Sequence, residues 1–339
     1  MRVQKLFSDT LPAAYAVCRL QADGADFLLV ASEIDAACFA YDLNGQFKKQ
    51  VVWQDVGGTM SIIQVPGSLD FLATQKFYPG FDAKACQIVY GAFNGKGWDI
   101  QKIADFPYLH RFDLVGTQPD KCLFIGCTIA NSKTFVEDWS DKGQIFVGRF
   151  NKNLLVLEDV QALPLRLLKN HGYCSAQSHG YSLITAVEGI VKLTYPEASD
   201  TGNWRLDLLY GQETSDIVQL DINRDGNQEH MIIQGFHGNR LRIFSHDFTR
   251  ELYHYPDPTP FGHAIWSGSL SGVPCFIFGW RSEKAELRVF TYTDGDFESH
   301  LVEAGVAPSN CLAFDKDGKS YLFSANNGSN QVALYELSF

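Results

Sequence analysis

Histidine is the residue type whose positions in this sequence most readily suggest chemistry. His110, His171 and His263 each stand where a turn leads into a short apolar run, and His237 lies in a turn between two such runs. Neutral imidazoles that converge from neighbouring segments bind divalent transition metals, with zinc or manganese as the main candidates and iron and nickel also admissible. A metal held with an open coordination position polarises a carbonyl group or activates water. We therefore predict a transition-metal site in which His110, His171 and His263 hold the metal and His237 is a fourth ligand or a base.

Two other roles for the same histidines stay open. They can act without metal, as sugar contacts or as a general base, or they can hydrogen-bond backbone in a structural role. The remaining histidines occupy strands or outer turns and are assigned structural roles: His179, His230, His246, His254 and His300.

Further polar residues fall at turns that we expect on the same face as the histidines. Tyr78 or His237 would move a proton, while Arg281 and Lys76 would neutralise a developing enolate or a substrate carboxylate. The predicted ligand contacts are Gln75, Trp139, Glu188, Trp280 and Asn326. Elimination next to a carbonyl needs a base, an electrophile and an anion clamp, and these residues supply all three.

Two of these turns are enlarged, with the sequences QKFYPGFDAK and ANSKTFVEDWSDKG. Long loops on a rigid scaffold are more often functional than short connections. Their aromatic rings and charged groups suit a carbohydrate or a sugar acid, because rings stack on CH faces and charges fix hydroxyls or a carboxylate. The alternative is that the loops cover a hydrophobic patch or make an oligomer contact.

An acidic turn with the pattern D-x-N-x-D-G-x-x-E offers a second kind of metal site. Its oxygen-bearing residues are Asp221, Asn223, Asp225 and Glu229. Oxygen ligands at alternating positions around a glycine suit structural Ca²⁺. The alternative is an Asx-rich turn satisfied by its own backbone without metal. We place this turn on the face opposite the histidines, where it would staple a hairpin.

A repeating register positions these residues. Seven units each begin with a turn, one small or polar entry residue and a short apolar strand, followed by further strands. The entry residues are Ala14, Thr59, His110, His171, Ser215, His263 and Asn310. Helical periodicity is nearly absent, so the pattern predicts an all-β, seven-bladed β-propeller with four-stranded blades.

The predicted blades make one domain over residues 1–339. They run approximately over 12–55, 56–107, 108–164, 165–211, 212–257, 258–306 and 307–339. The last unit supplies only three convincing strands, so we expect the strand-like segment 2–9 to become its outer strand, closing the ring and removing a free edge. The alternative count of six blades requires discarding the first entry segment.

The acidic turn also carries a resemblance to a known repeat type. With LDINRDGNQEHMII in unit five, and weaker echoes in QADGADFLLV and FDKDGKSYLF, the blades resemble FG-GAP or VCBS propeller repeats. Propellers of this general type include adhesion heads, lectins, polysaccharide lyases and sugar dehydratases, so the resemblance implies architecture and leaves the chemistry open. A metal held by histidines at the propeller centre is similar to that of some lyases of uronic-acid oligosaccharides.

Composition excludes several partner classes. The net charge of −11 comes without a basic stripe, which disfavours nucleic acid and anionic membranes. No apolar stretch reaches the roughly 18 residues of a membrane-spanning helix. The N-terminus has no apolar signal region, and most of the eight cysteines sit in apolar strand runs. We therefore expect reduced thiols in a cytoplasmic protein.

These features predict a propeller that binds a small polar ligand, a carbohydrate or a sugar acid, at the mouth of its channel. The sharper hypothesis is a metal-assisted lyase, dehydratase or isomerase. The alternative is a non-catalytic propeller scaffold that binds a carbohydrate or a protein. The oligomeric state is not predicted.

Overall fold

The computed structural model describes residues 1–116, 122–196 and 202–339. In these ranges the strands form seven sheets of four strands each, and in six of the sheets the four strands follow one another in chain order. Three short 3-10 helices join strands at Pro79–Phe81, Gln177–His179 and Asn327–Ser329. Seven consecutive four-stranded antiparallel sheets are the architecture of a seven-bladed β-propeller, which confirms the predicted fold class. We number the sheets blade 1 to blade 7 in chain order.

Residues 10–170 form one of two compact units of the chain. It contains blades 1 to 3. Blade 1 comprises β2 (Ala14–Ala22), β3 (Ala25–Ser32), β4 (Cys38–Asp42) and β5 (Lys48–Trp53). Blade 2 comprises β6 (Ile62–Gln64), β7 (Phe71–Gln75), β8 (Gln87–Phe93) and β9 (Trp98–Asp105). Blade 3 comprises β10 (Leu109–Val115), β11 (Cys122–Thr128), β12 (Gly143–Asn151) and β13 (Val156–Leu167).

The other unit consists of residues 1–9 and 171–339 and contains blades 4 to 7. Blade 4 comprises β14 (Gly172–Ala176), β15 (Tyr181–Ala186), β16 (Gly189–Thr194) and β17 (Arg205–Tyr210). Blade 5 comprises β18 (Thr214–Leu220), β19 (Glu229–Gln234), β20 (Arg240–Phe244) and β21 (Glu251–His254). Blade 6 comprises β22 (Gly262–Leu270), β23 (Val273–Trp280), β24 (Leu287–Thr293) and β25 (Asp296–Glu303).

Blade 7 combines the two ends of the chain. It contains β26 (Pro308–Lys316), β27 (Lys319–Asn326) and β28 (Gln331–Ser338), with β1 (Arg2–Thr10) as its outer strand beside β28. This confirms the predicted place of the N-terminal strand and the count of seven blades. Two strands run past the predicted boundaries: β13 continues to Leu167, three residues beyond 164, and β1 continues to Thr10, one residue beyond 9. The single domain over residues 1–339 stays a prediction.

Burial explains why these segments are strands. Second strands such as β3 and β23 are apolar runs that are buried along most of their length, as expected for strands covered on both faces. Outer strands such as β1 alternate between exposed and half-buried residues because only one face packs.

All eight cysteines are free, and seven of them are buried. Among the described residues, no helix is long and apolar enough to cross a membrane.

A β-bulge at the entry residue recurs in the first strands of the blades. The pairing register shifts there in five of them, and the residues that interrupt it are Tyr15, His110, Ser215, His263 and Ser309. A bulge re-aims the side chain of the extra residue out of the regular alternation. The structure therefore corrects two of the predicted entry residues by one position, from Ala14 to Tyr15 and from Asn310 to Ser309, because sequence spacing does not count the bulged residue.

Candidate metal centre

Three histidines from consecutive blades meet within the unit of residues 171–339. His171 directly precedes β14, His263 is the bulged residue of β22, and His237 lies in the turn between β19 and β20. One ring nitrogen from each lies within 4.8 Å of those of the other two. His171 and His263 are 1% and 3% exposed, whereas His237 is half-buried. The group is therefore open to solvent chiefly through His237.

The two buried imidazoles are each held by a backbone carbonyl. Nδ1 of His171 lies 3.0 Å from the carbonyl oxygen of Ser215, and Nδ1 of His263 lies 2.5 Å from that of Ser309. A carbonyl oxygen only accepts hydrogen bonds, so Nδ1 carries the proton in both rings. Nε2 of each neutral ring then keeps its lone pair. This is the tautomer and the carbonyl contact that orient metal-binding histidines in proteins.

The third imidazole brings a third ring nitrogen close to the other two. Nε2 of His237 lies 3.1 Å from Nε2 of His171, within hydrogen-bonding distance. Two nitrogens bound to one tetrahedral zinc at about 2.0 to 2.1 Å lie about 3.3 Å apart, so this spacing suits two ligands of one ion. Three neutral nitrogens without a thiolate suit zinc, manganese and their neighbours in the first transition row. The residues present therefore fit a divalent transition metal with an open position.

Aromatic rings enclose the histidines. Phe236 stacks on His237 at 4.3 Å between ring centroids and meets the edge of His171 at 5.4 Å. Phe261 makes an edge contact with His237 at 4.4 Å and with His263 at 6.0 Å. These contacts fix the imidazole planes, and their apolar surface strengthens electrostatic interactions at the centre.

The fourth predicted histidine lies in the other unit. His110 is the bulged residue of β10 and is 1% exposed. Its ring makes an edge contact with Phe77 at 5.3 Å, and its carbonyl oxygen accepts a hydrogen bond from Ser61 Oγ at 3.2 Å. The group of three is formed without it, and its role as one of the metal ligands stays a prediction.

Arg281 is the predicted anion-binding residue that the structure connects to the histidines. Its guanidinium lies 4.9 Å from the centre of the Phe261 ring, the same ring that contacts His237 and His263. It also donates a hydrogen bond to Asn327 Oδ1, and its backbone N–H donates to the Phe261 carbonyl. The positive charge is thereby held against the same aromatic ring that contacts His237 and His263.

Three predicted ligand contacts in this unit have other surroundings. Trp280 is 1% exposed and packs in the core against Phe278 and Tyr255, so its ring has no face open to a ligand. Asn326 is fully buried and donates to the Tyr335 hydroxyl at 3.1 Å. Both side chains face inward, and their contact with a ligand stays a prediction. Glu188 is half-buried in the turn between β15 and β16.

The predicted residues of blade 2 lie in the unit of residues 10–170. Gln75 is 4% exposed, and its Oε1 accepts a hydrogen bond from Gln87 at 3.1 Å. Lys76 has a φ of +63° and donates its backbone N–H to Gly57 at 2.8 Å. Burial, assisted by the carboxylate of Asp35, raises the pKa of Tyr78 to about 12. The Tyr78 phenol therefore keeps its proton at neutral pH, which suits a hydrogen-bond donor better than a base.

The two enlarged turns pack against each other. Trp139 of the longer loop meets Phe81 of the shorter one at 5.0 Å between ring centroids, edge to face. The ammonium of Lys133 lies 3.4 Å from the centre of the Trp139 ring and 5.2 Å from that of Phe81. Desolvation lowers the pKa of Lys133. This geometry favours the alternative in which these loops cover an aromatic patch.

The acidic turn satisfies its oxygens from its own backbone. Asp221 accepts hydrogen bonds from the N–H groups of Asp225 and Gly226, both at 3.0 Å. Asn223 accepts from the N–H of Asp225 at 2.9 Å, and Glu229 accepts from that of Ile222 at 3.2 Å. These contacts are those of an Asx-rich turn. Calcium binding at this turn stays a prediction.

Two open pockets lie elsewhere, along both sides of β21. They have volumes of about 450 and 470 Å³, and neither is lined by His171, His237 or His263. Between them Arg242 Nε donates to Glu251 at 2.8 Å, which neutralises the charge that either side chain would offer a ligand. The donor chemistry of the histidine group therefore identifies the candidate site better than cavity size does.

Sequence reasoning missed the residues that orient the histidines. The carbonyls of Ser215 and Ser309 and the ring of Phe261 belong to positions that carry no metal-binding side chain. A signal was present in the repeat, since Ser215 and Ser309 are bulged residues equivalent to His263. Phe236 is adjacent to His237 in the chain, but its stacking depends on the turn geometry.

Comparison with known proteins shows the fold and leaves the family open. No family model matches the chain, and no curated protein sequence matches it. Among solved structures, the chain is similar to the β-propeller domain of Cps50 (Swd1) from Myceliophteria thermophila, with a TM-score of 0.63 and 10% identity. The alignment covers 98% of this chain and 100% of that one. The β-propeller fold is thereby shown, while the resemblance to FG-GAP or VCBS repeats is not confirmed.

Proposed function

We propose that this protein binds a divalent transition metal through Nε2 of His171, His237 and His263 and uses it to bind a small polar ligand. The observation that carries the proposal is the pair of carbonyl contacts at Nδ1, which leave the Nε2 lone pairs of His171 and His263 for a metal. A histidine with a purely structural role does not need the ring nitrogens of two other histidines within 4.8 Å of its own, as these three have.

The chain's own residues indicate the ligand class. The metal supplies a Lewis acid for a ligand oxygen. Arg281 adds a fixed positive charge against the Phe261 ring, which favours a ligand with a carboxylate. A sugar acid has both this carboxylate and an oxygen that can bind the metal. A lyase, dehydratase or isomerase would also need a base. His237 cannot serve as that base while its Nε2 holds the metal.

Metal loading tests the proposal. Purified protein treated with chelator is titrated with Zn²⁺, and we expect one tightly bound equivalent. The double variant His171→Ala/His263→Ala loses this binding because two of the three donors are gone. His179→Ala is the matched control, since His179 is exposed and outside the group. A wild-type protein that binds no metal, or a double variant that binds as well as wild type, contradicts the proposal.

A non-catalytic propeller scaffold is the second candidate. Its support is the similarity over nearly the whole chain to a β-propeller domain, together with loops that cover their own aromatic patch. Cobalt-loaded protein separates the two candidates. Glucuronate or galacturonate should change the visible cobalt spectrum in the first case, and Arg281→Gln should weaken that response without weakening cobalt binding. A spectrum that no sugar acid changes favours the scaffold.

A further inference from the structure

We propose that Ser215 is a positioning residue of the three-histidine centre and fixes His171 and His237 at the same time. The inference rests on the metal site proposed above. Ser215 is the bulged residue of β18, at the position where the repeat carries His263 in the next blade. It brings a carbonyl oxygen and a hydroxyl group to two histidines of different blades.

The carbonyl oxygen sets the ring of His171. It accepts the Nδ1 proton of His171 at 3.0 Å and a second hydrogen bond from Thr185 Oγ at 2.7 Å. Thr185 Oγ in turn accepts the backbone N–H of Gly172, the residue after His171, at 3.0 Å. The His171 ring is therefore hydrogen-bonded directly to the Ser215 carbonyl, and the backbone after His171 is linked to the same carbonyl through Thr185.

The hydroxyl group sets His237. Ser215 Oγ accepts the backbone N–H of His237 at 3.2 Å and lies 3.3 Å from Nδ1 of His171. His237 has a φ of +46°, a left-handed conformation that is costly for a residue with a side chain. Such a conformation persists only where neighbouring groups hold it. The hydroxyl and the stacked Phe236 ring are the groups that do so here.

Burial makes these contacts effective. Ser215 is 1% exposed and Thr185 is fully buried, so water cannot easily replace a lost hydroxyl. Removing Ser215 Oγ leaves the N–H of His237 without this acceptor and allows the turn to relax. We expect the Nε2 atom of His237 then to leave its place beside Nε2 of His171.

Ser309 provides a matched control. It is the bulged residue of β26, it is fully buried, and its carbonyl oxygen accepts the Nδ1 proton of His263 at 2.5 Å. Its hydroxyl, however, donates to the carbonyl of Ala325 at 3.1 Å. Ser309→Ala therefore removes an equivalent hydroxyl while retaining the carbonyl that orients a histidine.

The test compares Ser215→Ala with Ser309→Ala in the full chain. Zn²⁺ affinity is measured by competition with a chromophoric chelator, and the visible spectrum of the Co²⁺ form reports the ligand geometry. Ser215→Ala should weaken Zn²⁺ binding by about tenfold or more and change the cobalt spectrum, as is typical when an orienting partner is lost. Ser309→Ala should weaken Zn²⁺ binding less than Ser215→Ala does, because the Ser309 hydroxyl donates to the Ala325 carbonyl.

The outcomes separate the two proposals. If the wild type binds no metal, the metal site is wrong and this inference fails with it. If the wild type binds metal and both variants retain its affinity and spectrum, the positioning role of Ser215 alone is wrong. Should Ser215→Ala not fold, Ser215→Cys carries the same test, because a thiol of similar size is a weaker acceptor.

Discussion

In a buried histidine, a backbone carbonyl oxygen beside one ring nitrogen decides which nitrogen is left for another partner. In His171 and His263 the carbonyl lies at Nδ1, which leaves Nε2 as the nitrogen available to a metal. In His230 the arrangement is reversed, because Nε2 lies 3.1 Å from the carbonyl of His246 while Nδ1 is buried with no hydrogen-bond partner among the described residues. His230 stacks on Phe248 at 4.3 Å and belongs to the core. The sequence prediction that His230 is structural agrees with this environment.

His230 should make the stability of the protein depend on pH. Burial lowers its pKa from 6.5 to about 4. The unfolded state therefore binds more protons between these values, and the free energy of unfolding falls as the pH falls from about 6.5 to about 4. A shift of this size corresponds to about 3 kcal/mol at most.

Urea unfolding at pH 7, 5.5 and 4.5 measures this contribution. His230→Phe keeps a ring against Phe248 and cannot be protonated, so the difference between wild type and variant should move in favour of the variant as the pH falls. Because other groups titrate equally in both proteins, they cancel in this difference. A difference that stays constant over this range would show that His230 does not carry the dependence.

At the scale of elements, bulges and turns convert a regular repeat into a site. The bulge in β22 turns His263 out of the strand alternation, and the left-handed turn at His237 brings that ring beside His171. Strand patterns predicted the seven blades and the placement of β1 because alternation and burial are local properties. The inward packing of Trp280 and Asn326 was missed, because a residue at the end of a strand can face a ligand or the neighbouring blade with the same local pattern.

The packed loops of blades 2 and 3 give a prediction about local stability. Trp139→Ala removes the edge contact with Phe81 and the ring under the Lys133 ammonium, so we expect a loss of about 2 kcal/mol in the stability of this region. Limited proteolysis should then cut within residues 131–142 faster than in the wild type. Phe135→Ala is the control, since Phe135 is 65% exposed and should leave the rate unchanged. Equal cleavage rates in all three proteins would contradict the packing role of Trp139.

The acidic turn of blade 5 gives a prediction that also tests calcium. Asp221 accepts two backbone N–H groups, so Asp221→Ala should lower the free energy of unfolding by about 1 kcal/mol in the presence of EDTA. The same loss in millimolar Ca²⁺ indicates that the turn is held by its own backbone. A variant that is destabilised only when Ca²⁺ is present would instead support the calcium site predicted from the sequence.

At the scale of the whole molecule, similar blades carry different chemistry. All seven sheets have four antiparallel strands, yet the three converging histidines come from blades 4, 5 and 6 alone. The unit of residues 171–339 with the N-terminal strand therefore contains all three converging histidines, the carbonyls that contact two of them and Arg281. A repeat fold allows this asymmetry, because each entry residue can change without altering the strands that present it.

X-ray absorption of the zinc-loaded protein shows which atoms bind the metal. We expect a zinc site with three imidazole nitrogens at about 2.0 to 2.1 Å. In His171→Ala the imidazole contribution should fall to two or the zinc should be lost, and His179→Ala should reproduce the wild-type spectrum. A wild-type protein that holds no zinc, or zinc bound without imidazole in its spectrum, would contradict the assignment of His171, His237 and His263 as a metal centre.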